Sequence, residues 1–385
     1  MNHSDKRILF FFPENPFSKK AGNVARAYTN LKHLKSLGLN IDLVGVDEFY
    51  RGFGDTGEFV DKNIIDDHLV LKRRPIRNKK SYTYWKYKII KLFTKQKTSN
   101  NGYFYTRYFM DTFTEFYNRK KYDYILINYE FWTDLIVKLD LTNVTTIVDT
   151  HDWITLNEYY KNKTLNIGEK FNEELQNLSF YDKVITISNE ENFIFKSFLG
   201  DKVVNIPPSF PANYETGTTE KIYDLIFVGS DNPFNVESFN WFIDKVMPFL
   251  PKEVKICVIG RICNWIPDRE NIEKVVFADS LKEYYHKSKI AICPMLGGTG
   301  IKIKVVEALS FGIPVVGSEK AIDGFFQKTG NGCLVSDDPK TFADIAMQLI
   351  NDPVLYEKQK QEAIQFFKDN FTEEKSVELW ESILN

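Results

Sequence analysis

The sequence predicts two doubly wound α/β domains in one chain, and three observations carry that expectation. The 385 residues exceed the roughly 100–200 of an ordinary domain. Short apolar runs of strand length alternate with amphipathic stretches along most of the chain, which is the pattern of a buried parallel sheet covered by helices. Near the middle, residues 205–221 (NIPPSFPANYETGTTEK) interrupt the alternation with three prolines, a glycine and mostly polar side chains, and read as a linker. The expected division is 1–205, a linker at 206–221, 222–370, and a terminal helix at 371–385 that returns to the first domain. An inter-domain cleft is the default ligand site of such an architecture.

The first unit predicts a strand at 8–12, a loop at 15–23 and a helix at 24–37. That helix places Ala25, Tyr28, Leu31, Leu34 and Leu37 on one face, ends at Gly38 and leads to a strand at 41–46. Strand-like runs follow at 124–127, 145–148 and 183–187. After the linker come a strand at 225–228, a helix at 236–250 and strands at 254–259 and 274–277. The series continues with a helix at 280–286, a strand at 290–293, a helix at 301–309 and a strand at 314–316. Amphipathic stretches at 341–350 and 353–384 close the chain, and no internal repeat is visible.

Composition excludes several classes. The apolar fraction of 43% and charged fraction of 26% are those of a globular protein rather than a disordered one. A formal charge of -2 gives no general attraction for nucleic acid. The four cysteines (257, 263, 293 and 333) lack the paired short spacing of a zinc site, and Cys257 and Cys293 lie in apolar runs, so buried thiols in a reducing compartment are expected. The apolar run at 8–12 is too short for a signal h-region or a membrane span, which predicts a cytoplasmic protein. The excess of 32 Phe and 20 Tyr is core in part: Phe10, Phe11, Phe12, Phe227, Phe239 and Phe242 fall on buried patterns. Tyr82, Tyr84, Trp85, Tyr87, Tyr103, Phe104 and Tyr105 cluster elsewhere and suggest a ligand surface.

Residues 290–318 (IAICPMLGGTGIKIKVVEALSFGIPVVGS) carry the most specific chemistry. A buried strand ends at Pro294, an open loop of Gly297, Gly298, Thr299 and Gly300 follows, and a helix begins near Ile301. Unpaired N–H groups and the positive dipole end of that helix form an anion site, and glycines let a phosphate approach the backbone. Lys302 and Lys304 add positive charge, and Glu307 shares a helical face with Lys304 and can accept from paired hydroxyls. Phosphate plus diol is what a nucleotide presents. The plainer alternative is ordinary strand-to-helix punctuation with a structural Lys304–Glu307 pair, because a carboxylate within VVEAL needs a partner.

Strand, Pro, glycine loop, Lys, helical Glu-Ala-Leu and Gly-x-Pro-Val-Val resemble the C-terminal signature of retaining glycosyltransferases of the GT-B fold, specifically the large family four. Residues 225–250, 258–261 (VIGR) and 277–285 are similar to further blocks of that family, as are 22–26 (GNVAR), 145–152 (TTIVDTHD) and 184–190 (VITISNE). The resemblance implies two facing Rossmann-like domains, the first on the acceptor side and the second binding a nucleotide sugar. It implies that Glu307 binds the ribose, as the second of two glutamates eight positions apart, while the first falls on Thr299, a departure that removes a charge near the donor sugar. Subgroups with a small residue in this loop and a following Lys resemble this sequence. The same comparison implies Arg261 at the diphosphate, Gly229 and Ser230 near the nucleotide, Phe277 beside the base, and Gly22 and Asn23 across the cleft. Gly298, Gly300, Ile301 and Lys302 complete the donor set, with His151, Thr299 and Lys304 nearest the reacting sugar.

The implied reaction moves a sugar from a nucleoside diphosphate sugar to a glycan or lipid-linked acceptor with retention, in surface polysaccharide or glycolipid synthesis, without a metal or other cofactor. Negative charge growing on the diphosphate would be met by Arg261, Lys302, Lys304 and the loop N–H groups. Asp149 and Asp152 flank His151 but would need partners across the fold to hold a cation. His151 ends a strand, where open sheets place ligands; it could meet a sugar hydroxyl or be structural. A nucleotide-sugar 2-epimerase of the same fold and a non-catalytic nucleotide-sugar-binding protein are the rival functions. Residues 72–97 contain eleven Lys or Arg, no acid, and a helix with Tyr84, Tyr87 and Ile90, joined by Ile89 and Phe93, on one side. This segment suits an anionic membrane surface at the inner face of the membrane, with a solvated basic face as the alternative and no recognised nucleic-acid module around it.

Overall fold

Continuous apolar runs with β-branched residues fix the central strands; the strands ending at Phe11, Asp149, Val228 and Cys293 lead to helices of eight residues or more, whereas those ending at Val46, Asn128 and Ile259 run into helical turns of four to six residues. The computed structural model describes residues 4–18, 22–50, 63–93, 105–215, 217 and 219–385. The chain divides into two units, one of residues 1–186, 192–205 and 377–385 and one of 187–191 and 206–376.

The first unit holds a parallel sheet in the order β3-β2-β1-β4-β5-β6-β7. Its strands are β1 (Arg7–Phe11), β2 (Asn40–Val46), β3 (Asp67–Leu71), β4 (Tyr124–Asn128), β5 (Thr145–Asp149), β6 (Lys183–Thr186) and β7 (Val203–Asn205). The second unit repeats the scheme as β10-β9-β8-β11-β12-β13. Here the strands are β8 (Tyr223–Val228), β9 (Ile256–Ile259), β10 (Ile272–Val275), β11 (Ser288–Cys293), β12 (Val315–Gly317) and β13 (Cys333–Val335). In each sheet the winding reverses once, between β1 and β4 and between β8 and β11, and ligands of such sheets bind at the strand C-termini beside that reversal.

Among the described residues, helices of eight residues or more are α1 (Gly22–Ser36), α2 (Tyr82–Phe93), α3 (Arg107–Tyr117), α4 (Ile154–Lys161), α5 (Ile167–Ser179) and α6 (Asn189–Leu199). They continue with α7 (Pro233–Trp241), α8 (Ile303–Ser310), α9 (Pro339–Asn351), α10 (Pro353–Asn370) and α11 (Glu373–Leu384). Phe10, Phe11, Phe12, Phe227, Phe239 and Phe242 are fully buried, and the four cysteines are buried free thiols.

Several elements depart from the sequence reading. Strands β3, β7 and β13 lie outside the predicted runs, and all three are sheet edges that are short or only half-buried, so no continuous apolar run marks them. The helix expected over 236–250 is regular only through Trp241; Phe242–Val246 widens into a π-helical turn and Met247–Phe249 tightens into a 3₁₀ turn. Pro248 explains this, since it lacks the N–H and its ring crowds the carbonyl one turn back. The amphipathic stretch at 353–384 divides at Phe371, next to the boundary expected between 370 and 371, and Thr372 caps α11 by accepting from the Lys375 N–H at 3.2 Å. In α1, Ala25 faces solvent while Arg26, Asn30 and His33 are buried. In α2, Ile89 is exposed and does not share the half-buried side of Tyr84, Tyr87 and Ile90. Tyr105 belongs to the first unit's core, edge-on to Trp132, rather than to a ligand surface. Tyr103, Phe104 and the basic segment from 94 to 97 lie outside the described residues.

Candidate functional site

In the second unit the reversal between β8 and β11 gathers most of the predicted donor residues. β8 ends at Val228 and runs into Gly229 and Ser230, and β11 ends at Cys293 and runs into the glycine loop. The loop is held from below: the Leu296 N–H donates to the buried Ser238 hydroxyl at 3.0 Å, and the Ser318 hydroxyl donates to the Met295 carbonyl. Gly298 and Gly300 have φ of 90° and 65°, a region that side chains disfavour, so the loop's open course depends on glycine there. Helix α8 starts without a side-chain cap at Lys302, leaving its first N–H groups for a ligand.

The two charged residues of α8 are not paired with each other. The Lys304 ammonium donates to Asn235 Oδ1 at 2.6 Å and lies 4.4 Å from the Phe227 ring centre. Glu307 Oε2 accepts from the Tyr285 hydroxyl at 3.1 Å, and Tyr285 is itself stacked on Phe311. The structural Lys304–Glu307 pair that the sequence allowed is therefore absent. Burial pushes the Glu307 carboxyl up to about 7 and the Lys304 ammonium down to about 8, the latter with help from nearby Lys302. Lys302 turns back on its own loop and donates to the Gly298, Thr299 and Gly300 carbonyls at 3.4, 3.4 and 2.9 Å, bracing the loop rather than projecting from it. Thr299 is partly exposed, while the Ile301 side chain is 7% exposed and packs in the core, so only its backbone can meet a ligand.

Arg261 follows β9 and reaches Asp231 Oδ1 with Nε and Nη2, at 3.0 and 2.9 Å. Gly260 makes that turn possible: its φ is 108°, and a Cβ there would stand 2.2 Å from the Gly229 carbonyl oxygen. Phe277, just beyond β10, is 79% exposed, as a ring awaiting a flat partner would be. Asn235 escaped the sequence reading although it ties the site together, donating to the Ser230 carbonyl and hydroxyl and accepting from Lys304. Its only signal was a polar side chain three positions after Asn232, the cap of α7. Tyr285 was missed as well, since nothing in sequence separates it from a core aromatic.

In the first unit the strand ends beside the β1–β4 reversal hold His151, Tyr129, Asn128, Phe12 and Asn23. His151 has φ of 61° and Tyr129 of 70°, two strained non-glycine residues whose rings stack at 4.5 Å, with Phe12 on His151 at 5.8 Å. Asn128 donates its amide to the Phe11 carbonyl, which turns Oδ1 toward His151 Nε2 at 2.6 Å. That arrangement puts the proton on Nε2 and leaves Nδ1, buried and without a hydrogen-bond partner among the described residues, as an acceptor. Burial pushes the ring's pKa down to about 4, so it is neutral near pH 7. Asp149 is fully buried; burial works to raise its carboxyl, but Arg26, through hydrogen bonds of 2.9 to 3.2 Å, holds it below its ordinary value. Asn30 adds a 3.0 Å donor to the same carboxylate. Asn23 donates to Glu14 and Tyr129 at 2.8 and 3.1 Å, and Gly22 opens α1 beside it.

Residues 223–352 match the family model described as glycosyl transferases group 1. Among curated proteins, an uncharacterized 44.6 kDa protein in the cps region of Klebsiella pneumoniae is 25% identical over 256 residues, a stretch spanning 58% of this chain and 64% of that protein. Among solved structures, a mutant of S. aureus TarM in complex with fondaparinux, α-GlcNAc-glycerol and UDP aligns with a TM-score of 0.69 at 13% identity, over 99% of this chain and 100% of that one. HepE of Anabaena, in complex with UDP and glucose, aligns with a TM-score of 0.68 at 12% identity over 98% of each chain.

Proposed function

We propose, for a chain of GT-B fold whose residues 223–352 carry the glycosyl transferases group 1 signature, that it transfers a sugar from a nucleoside diphosphate sugar to a glycan or lipid-linked acceptor with retention at the anomeric carbon. The single observation that carries the reading is Glu307, a partly buried carboxyl aimed by Tyr285 and set one turn into a helix whose uncapped N-terminus and glycine loop suit a diphosphate. Desolvation disfavours the charged form of this carboxyl and Tyr285 supplies it with one donor, so a ribose diol that adds two more would stabilise the carboxylate. Lys304, Arg261 and the N–H groups of the loop would stabilise charge building on the departing diphosphate, each contributing about 2–4 kcal/mol if it faces that charge. These groups take the part that a divalent cation has in other transferases, which is the basis for a metal-independent reaction.

The His151 Nδ1 lone pair is enclosed, with Tyr129 and Phe12 stacked on the ring, and would accept from a sugar hydroxyl only once these rings shift; Thr299 offers a hydroxyl where a charged side chain would otherwise meet the donor sugar. The solved relatives in complex with UDP make a uridine nucleotide the first donor to test. A role in surface polysaccharide or glycolipid synthesis agrees with the cps-region relative. The basic segment from residue 72, with Lys79, Lys80 and Lys86 exposed, is proposed to meet an anionic membrane surface; no helix among the described residues is long and apolar enough to cross a membrane. A thermal-shift screen against UDP, GDP, ADP, CMP and their sugars, with and without EDTA, tests the reading. Stabilisation by one nucleoside diphosphate that persists in EDTA is expected; no response to any of them removes the donor site.

A further inference from the structure

The first unit contains a cavity of about 400 Å³ that the donor site does not use, walled by α2, α3 and the segment after β3. Six cationic side chains line it, Arg73, Arg74, Arg77, Lys88, Lys91 and Arg107, and no carboxylate does. Arg107 pairs with Asp111 at 2.7 Å and Arg73 lies 3.9 Å from Glu48, whereas Arg74, Arg77 and Lys91 have no acidic partner among the described residues. An anion in this volume would meet several of these cations at once, Arg74, Arg77 and Lys91 among them. The remaining wall includes Tyr84, Tyr87 and Tyr108, the last two edge to face at 4.9 Å. Planar guanidinium groups with phenol rings suit a phosphate or diphosphate, which accepts bidentate Arg hydrogen bonds.

The far side of α2 identifies the source of that phosphate. Tyr82, Trp85, Ile89 and Leu92 follow a 3-4-3 spacing and are 80, 44, 53 and 80% exposed, an apolar stripe on a helix whose other side is cationic. A helix of this kind lies in a bilayer interface with its apolar stripe among the upper acyl chains. Its opposite side then stands about 10 Å higher, one helix diameter, at the level of protruding headgroups. We infer that the cavity binds a phosphate or diphosphate group on the headgroup of a membrane lipid. The inference rests on the membrane reading of the basic segment and names what that segment would recognise.

Vesicle sedimentation with the full chain tests it. Phosphatidylcholine vesicles carry either phosphatidylglycerol or phosphatidylinositol 4-phosphate, at matched surface charge. Binding should be roughly tenfold or more tighter to the exposed phosphomonoester. Combined Arg74→Gln, Arg77→Gln and Lys91→Gln should abolish that preference, while Lys79→Gln, Lys80→Gln and Lys86→Gln should weaken both vesicles alike and keep it. Equal binding to the two vesicles, or a preference that survives in the cavity variant, overturns the inference while leaving the membrane reading intact. Binding to neither vesicle overturns the membrane reading and the lipid source together. Inorganic pyrophosphate, titrated into wild type and cavity variant, supplies the last arm: displacement of the chain from phosphoinositide vesicles in wild type supports the phosphate contact, and no displacement counts against it.

Discussion

Glu307 and Lys304 set the charge state of the donor site from opposite directions. With Glu307 raised to about 7, its carboxylate is lost as pH falls through that value; with Lys304 lowered to about 8, its charge is lost as pH rises through that one. Affinity for a nucleoside diphosphate sugar, measured by calorimetry between about pH 6 and 9, should therefore peak between those two values, and Glu307→Gln should remove the acid limb alone. A flat profile in wild type would contradict the assigned roles. Arg26 offers a stability test: with Asp149 fully buried, Arg26→Ala strands a carboxylate and should cost about 3–5 kcal/mol in denaturant unfolding. Glu307, Lys304 and the glycine loop were legible because a strand, a loop and one helical turn keep them adjacent in sequence. Their partners were not, since Asn235 meets Lys304 across 69 positions and Tyr285 meets Glu307 across 22.

Among the elements, legibility followed burial. Central strands β1, β2, β4, β5, β8, β9 and β11 are buried on both faces and write themselves as apolar runs, whereas β3 is only half-buried along most of its length and begins with Asp67 and His68. Helix α1 shows the limit of periodicity: its buried stripe includes Arg26 and Asn30, which turn inward because Asp149 waits there, and no hydrophobic pattern marks such positions. Helix α11, which the amphipathic pattern at 353–384 runs together with α10, is a separate element near the terminal helix expected at 371–385, and its residues 377–384 belong to the first unit. Trp380 is fully buried there and its indole N–H donates to Asn30 Oδ1 at 3.4 Å. Trp380→Ala should accordingly lower stability by about 3–5 kcal/mol, read as an earlier urea midpoint; a loss below about 1 kcal/mol would mean that the helix is not part of that core.

At the scale of the whole chain, the near-neutral charge conceals a strong local asymmetry, because residues 72–97 hold eleven Lys or Arg and no Asp or Glu. The aromatic excess divides in the same way, into rings packed in the two cores and an outward stripe on α2. Two copies of one winding scheme, each with its reversal point, made the α/β class readable from alternation alone, while the chemistry resides in a few side chains at those points. Nucleotide binding at the β8–β11 reversal through Glu307 is read from thermal protection of wild type and Glu307→Ala by UDP and by the nucleotide that ranks first in the screen: clear protection of wild type and none of the variant is expected, and equal protection of the two would remove Glu307 from the nucleotide site.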